Sequence, residues 1–149
     1  MAVTASGIFV PTIRDALGSA QLALDLDADT HKVALYSNSI TPNFGTDTAY
    51  GTGTYGSNEV TGTNWPAGGV TLAGATLTGS GGNLVFDATD VSVATVTLTG
   101  ARCALIYADA LAGNNAIVLV DFGGDYSPTA GTLEIAWAAG GIFTIDLTP

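Results

Sequence analysis

Basic side chains, histidine and cysteine are all scarce in this chain. Of its 149 residues, 3 are Lys or Arg, 1 is His and 1 is Cys, against 13 Asp or Glu. Three cationic side chains cannot neutralise the row of phosphates that a nucleic-acid site engages, which excludes DNA or RNA binding through the backbone. The same deficit disfavours docking to an anionic membrane surface. The lone Cys103 cannot close an intrachain disulfide, and its apolar setting, Ala101-Arg102-Cys103-Ala104-Leu105-Ile106-Tyr107, reads as that of a buried, inert thiol. No apolar run approaches the roughly 18 residues of a membrane span. Met1 to Val10 lacks the basic start of a signal peptide, and no Asn-x-Ser/Thr sequon occurs. The expectation is a soluble protein made in a cytoplasm.

Scarcity also limits the chemistry. A Ser-His-Asp or Cys-His arrangement would have to use His31, which stands between Thr30 and Lys32 and reads as a solvated or locally hydrogen-bonded side chain. Gly79-Ser80-Gly81 lacks the glycine spacing of a nucleophile elbow. Gly51-Thr52-Gly53-Thr54-Tyr55-Gly56 matches G-x-G-x-x-G in letters alone, because no helical period follows it to receive a pyrophosphate. Neither a cofactor nor a catalytic residue is assigned.

What is present is apolar and β-branched. With 47% hydrophobic and 11% charged residues, the composition opposes disorder. A single domain of this length buries about two-thirds of its unfolded surface and needs no metal or disulfide to fold. Ile13, Leu17, Ala20 and Leu24 recur at helical spacing behind Pro11, predicting one short helix over about residues 11–22, weakened by Gly18. Residues 1–10 precede it as an arm.

From residue 32 the period changes to two. Expected strands are 32–37, a short one around Glu59-Val60-Thr61, 70–72, 75–77, 84–86, 91–93, 96–98, 101–108, 116–122, 132–137 and 142–147. The segments 70–72 and 75–77 alternate out of phase, which a bulge near Gly74 would repair. The run Ile117-Val118-Leu119-Val120 fits a strand covered on both faces. The last two segments, joined by Ala138-Ala139-Gly140-Gly141, read as a hairpin. Short strands punctuated by turns predict an all-β fold, an antiparallel β-sandwich or jelly roll with an N-terminal arm and one short helix. The boundaries are 1–30 for arm and helix and 31–149 for the β-sandwich.

Three groups remain candidates for binding. Asp25-Leu26-Asp27-Ala28-Asp29 spaces oxygens like an EF-hand opening, but Thr30 and Tyr36 stand where that loop needs glycine and a bidentate acid. An EF-hand is excluded, whereas a calcium site of another form stays open. Asp121, Asp125, Glu134 and Asp146 fall on or beside strands, where solvated acids compare with a hydrolytic carboxylate pair. The long Gly/Thr-rich segment 42–69 carries Tyr50, Tyr55 and Trp65, which can stack on sugar rings, anchor a protein interface, or pack the loop onto its own domain.

Several short segments carry a family resemblance. Val33-Ala34-Leu35-Tyr36-Ser37-Asn38-Ser39 with Pro42-Asn43-Phe44 and Asp47, Asn58-Glu59-Val60-Thr61-Gly62, and Ala67-Gly68-Gly69-Val70-Thr71-Leu72 resemble small virion-associated structural proteins of tailed bacteriophages. So do Phe86-Asp87-Ala88-Thr89-Asp90-Val91, Ala104-Leu105-Ile106-Tyr107, Val120-Asp121-Phe122-Gly123-Gly124 and Gly141-Ile142-Phe143. The resemblance spans about residues 30–147. It implies a non-enzymatic role, either as a capsid decoration (cement) protein on the major capsid shell or as a minor tail or baseplate protein. A glycan-binding module is the alternative from another class. The implied partners are the major capsid protein or other virion proteins and further copies of the chain, with a trimer expected first. The implied location is the outer capsid surface. Ile8, Phe9 and Val10 of the arm join Tyr50, Tyr55 and Trp65 as expected contact residues.

Overall fold

The computed structural model describes residues 2–148. Their order is β1 (Gly7–Ile8), α1 (Val10–Leu17), β2 (His31–Tyr36), β3 (Glu59–Val60), β4 (Val70–Leu72), β5 (Thr76–Ser80), β6 (Asn83–Asp87), β7 (Val91–Val96), β8 (Ala101–Ala108), β9 (Ala116–Tyr126), β10 (Gly131–Ile135) and β11 (Phe143–Asp146). All strand pairs are antiparallel, and the fold is all-β and sandwich-like with one short helix.

The central sheet runs β1-β9-β8-β2-β3, with β4 also pairing β2. β2 and β8 are buried almost throughout, because alternate residues serve two separate cores. Val33, Leu35, Ala104, Ile106 and Val118 face one core with Trp65 and Phe86. Ala34, Tyr36, Cys103, Leu105 and Leu119 face the other, with Val3, Phe9, Ile40 and Tyr55. In β9, Ile117 and Val118 both belong to the first core, since the β8–β9 register shifts between the pairs Ile106↔Val118 and Tyr107↔Ala116. The expected coverage of both faces of 116–122 is therefore observed.

Two smaller sheets, β10-β7 and β11-β6-β5, complete the fold. They correct two local expectations. Segments 70–72 and 75–77 are out of phase because the chain changes sheets between them, β4 pairing β2 and β5 pairing β6. Gly74, at φ 64°, lies in this crossover and is not a bulge. The final two strands form no hairpin with each other either: β10 pairs β7 and β11 pairs β6. The turn at Ala138–Gly141 hands the chain from one sheet to the next, with Ile142 N–H donating to the Phe86 carbonyl.

The helix is shorter than the periodicity suggests. It stops at Leu17, where the Gly18 N–H closes the last turn on the Arg14 carbonyl and the backbone becomes extended. Ala20 and Leu24 lie beyond it, although Leu24 still packs against the first core. The arm is likewise part of the fold. Gly7 and Ile8 pair with Leu119 and Val118 of β9, Phe9 and Val3 are buried, and Val3 N–H donates to Asn38 Oδ1. Met1 lies outside the described residues.

Candidate functional site

The rings of segment 42–69 turn inward. Tyr55 and Trp65 are buried, and Tyr55 meets Phe9 and Tyr36 edge-on at centroid distances of 5.7 and 5.1 Å. Tyr36 Oη donates to the Tyr55 carbonyl at 2.9 Å. Tyr50 is half-buried and stacks on Tyr107 at 4.4 Å, with its hydroxyl donating to Glu59. The other Glu59 oxygen accepts from Gly68 N–H, while Tyr107 Oη donates to the Gly68 carbonyl. Burial pushes the Tyr50 hydroxyl up to about 12, reinforced by the Glu59 carboxylate. Of the three arrangements open to these rings, packing the loop onto its own domain is the one observed. A sugar has no ring face to reach at Tyr55 or Trp65.

The other expected contact residues divide. Phe9 is fully buried, Ile8 is half-buried, and Val10 is 55% exposed on α1. Of the two states expected for His31 the locally hydrogen-bonded one is observed: it is fully buried, with Nε2 3.1 Å from the Leu26 carbonyl and its ring edge-on to Phe86. Cys103 is buried, and burial pushes its thiol up to about 12.

The aspartate triplet is an exposed turn that satisfies itself. Asp25 Oδ1 accepts from the N–H groups of Asp27 and Ala28, and Asp29 Oδ2 accepts from the N–H of Asp25. A hydrogen bond between their side chains holds Asp25 below and Asp27 above the usual carboxylate range. No cluster of metal-ligating side chains occurs among the described residues.

Carboxylate-pair chemistry requires one acid held protonated near neutrality. Asp121 and Asp146 are held the other way. Burial pushes Asp121 up, but the Gly123 N–H and the Arg102 guanidinium, 2.8 Å away, outweigh it and bring it down. Asp146 is lowered by the hydroxyl and N–H of Thr148. Asp125 lies 3.8 Å from Arg102, and Glu134 is exposed on β10.

One stretch of the surface is mainly apolar. Two adjoining clefts, of about 490 and 410 Å³, share Ile13 and Ile145. Leu17, Leu24, Leu77 and Leu84 line the first; Ile8 and Val10 line the second. Leu17 is 85% exposed. The helical spacing of Ile13 and Leu17 was visible in the sequence, whereas Val10 was assigned to the arm and proves to open the helix, and the meeting of that face with β5, β6 and β11 depends on strand pairings with no local signature. At the rim, Arg14 is spent on Asp15 at 2.8 Å. In comparisons with known proteins, the chain matches no family model, no curated protein and no solved structure, so its function is to be read from these surfaces.

Proposed function

We propose that this chain is a non-enzymatic structural protein of a tailed-bacteriophage virion, a capsid decoration protein that binds the major capsid shell from outside. The observation that supports it is the uncovered apolar face of α1 and β11. An apolar patch of this kind on an acidic chain is the usual mark of a protein–protein surface. The inward packing of Tyr55 and Trp65 takes the glycan-binding alternative out of contention at those rings. The family resemblance of residues 30–147 supplies the virion context, and the chain associates there with capsid subunits and further copies of itself, with a trimer as the first expectation. Such a subunit stabilises a shell by mass action, binding the assembled lattice and not the dissociated subunits.

The arm is a poor place to test this, because Val3 and Phe9 belong to the chain's own core. Val10 and Leu17 are better, being 55% and 85% exposed. Antibody-labelled electron microscopy of purified particles is expected to place the chain on the capsid shell. A Val10→Asp/Leu17→Asp variant is expected to keep the native Tm and lose about tenfold or more in shell occupancy. Label confined to the tail would move the assignment to a minor tail or baseplate protein. Particles free of the chain would refute both.

A further inference from the structure

The three-stranded sheet β11-β6-β5 ends on an edge that the fold leaves open. β5, Thr76-Leu77-Thr78-Gly79-Ser80, pairs β6 in unbroken register from Thr76↔Asp87 to Ser80↔Asn83, and no other strand pairs it among the described residues. The two-residue turn Gly81-Gly82, at φ 57° and 84°, makes Ser80↔Asn83 the hydrogen-bonded pair that closes the hairpin. Alternation then spends the backbone groups of Thr76, Thr78 and Ser80 on β6 and points those of Leu77 and Gly79 outward. Among the described residues, no backbone hydrogen bond from outside the hairpin reaches Leu77 or Gly79. The side-chain bond from Thr76 Oγ1 to the Asp87 carbonyl also stays within it.

Open edges usually carry a lysine, a proline or a bulge that blocks further pairing. β5 has none of these and no charge of either sign. Thr76, Thr78, Gly79 and Ser80 are exposed. A Cβ on Gly79 would meet only the Asn83 carbonyl, at 4.0 Å, so its own chain does not demand glycine there. A glycine inside a strand is also the mark of a site that another backbone approaches closely.

The edge is complementary to itself. With a twofold axis at Thr78, Leu77 exchanges both backbone bonds with the partner subunit's Gly79, and the axis repeats the exchange, so every outward group is satisfied. On one face each Leu77 side chain lies across from the partner's Gly79, which leaves it room, and continues the apolar lining that Leu77 and Leu84 give the first α1–β11 cleft. On the other face Thr78 meets the partner's Thr78 and Thr76 meets the partner's Ser80, hydroxyl pairs suited to cross-strand positions. No charged side chains face each other across this pair, although each chain carries a net charge of −10.

We propose that β5 is a self-association edge, at which two copies of the chain join their β11-β6-β5 sheets into one continuous antiparallel sheet. The contact closes at two chains, so it is distinct from the threefold association expected on a shell and independent of the virion assignment. A pair of five-residue strands is a small interface, and the dimer is weak and reversible.

Sedimentation velocity of the natively purified chain, from about 10 μM to 1 mM, is expected to show a monomer–dimer equilibrium that reverses on dilution, with Kd on the order of 0.1 mM. Gly79→Pro removes an outward N–H and leaves the β6 ladder intact, so it is expected to keep the native Tm and to stay monomeric throughout. Thr78→Cys reads the register. At the axis its Cα atoms stand about 4.5 Å apart, within disulfide reach, and it is expected to oxidise to a dimer about tenfold or more faster than Thr76→Cys, whose copies are displaced along the strand. Thr76→Cys mixed with Ser80→Cys is expected to form a mixed disulfide as readily as Thr78→Cys does alone, while the buried Cys103 takes no part. The proposal is overturned if the chain is monomeric at about 1 mM, if Thr76→Cys and Thr78→Cys oxidise equally fast, or if Gly79→Pro dimerises like the parent. Loss of the dimer in Val10→Asp/Leu17→Asp would move the contact to α1, and a dimer that survives dilution would mark exchange of the N-terminal segment; either result overturns it as well.

Discussion

Replacing Trp65 separates a ring that serves the core from one that serves a partner. Trp65 is fully buried, and its position is fixed locally by a tight turn in which Gly62 and Trp65 exchange backbone hydrogen bonds. Asn64, at φ 60°, extends its amide to the carbonyls of Ala94 and Thr95 and pins that turn to β7. Burying an indole removes about 150–250 Å² from water, worth roughly 4–6 kcal/mol at 25 cal/mol per Å². Partial collapse of the cavity leaves an expected cost of about 3–5 kcal/mol for Trp65→Ala. For a domain of this size that lowers Tm by about 6–20 °C. Trp65→Phe behaves differently because the indole Nε1 is buried without a hydrogen-bond partner. The smaller ring forfeits about 1 kcal/mol of burial, while deleting the unpaired N–H returns about 1–3 kcal/mol. This variant is expected within about 1 kcal/mol of the parent, or above it. Urea unfolding followed by far-UV circular dichroism reads both, with an unchanged m-value confirming an intact denatured reference. A cost below about 1 kcal/mol for Trp65→Ala would falsify the inward placement and return the ring to the surface.

Further outcomes follow from other contacts. Gly69, at φ 76°, has no room for a side chain because a Cβ would collide with the Val33 carbonyl, so Gly69→Ala is expected to cost about 3 kcal/mol or more, read as a Tm loss of about 6–12 °C. Cys103 is expected to resist thiol reagents at pH 8 in the native state and to react fully in denaturant; rapid native labelling would contradict its burial. Asp121 is lowered in the folded state, so its stabilisation is fully present above the ordinary carboxylate range and is lost as pH falls through the folded value. Asp121→Asn is therefore expected to lower Tm at pH 7 and to flatten the acid limb of a Tm–pH series; a limb as steep as the parent's would show that the Arg102 pair contributes nothing.

The central sheet was legible in the sequence because its signal is local. Continuous apolar runs at 101–108 and 116–122 can be strands only if both faces are covered, and both are. Pairing was not legible. The segments 132–137 and 142–147 look like a hairpin because they are adjacent and share turn residues, yet β10 and β11 join different sheets, a choice made by partners some 40 to 60 residues upstream. Which of its two expected states His31 takes was hidden for a related reason: its sequence neighbours Thr30 and Lys32 are polar, while its burial comes from Phe86 and from the Leu26 carbonyl folding back over it. The rings of 42–69 stood out as noteworthy, but whether they turn in or out depends on Phe9 and Tyr107, which lie far from them in the chain. The α1–β11 face was half legible, as a helical stripe with no indication of what it would meet.

The seating of the first strand has a kinetic side. Ser6 accepts a hydrogen bond from Asp121 N–H across 115 residues, and Arg102 reaches the Val3 carbonyl across 99. At ribosomal rates of about 5–20 residues per second, the N-terminal segment waits roughly 6–23 s before β9 exists to receive it. Until then Phe9 and Val3 have no core to enter, and afterwards the vacant edge of β9 can be filled by the same segment from any nearby copy. Closure within one chain and exchange between two chains make the same contacts, so protein concentration during folding decides between them. Dilute refolding is expected to give the closed form described here, and concentrated refolding to enrich a strand-exchanged dimer, which size-exclusion chromatography of the refolded chain would read.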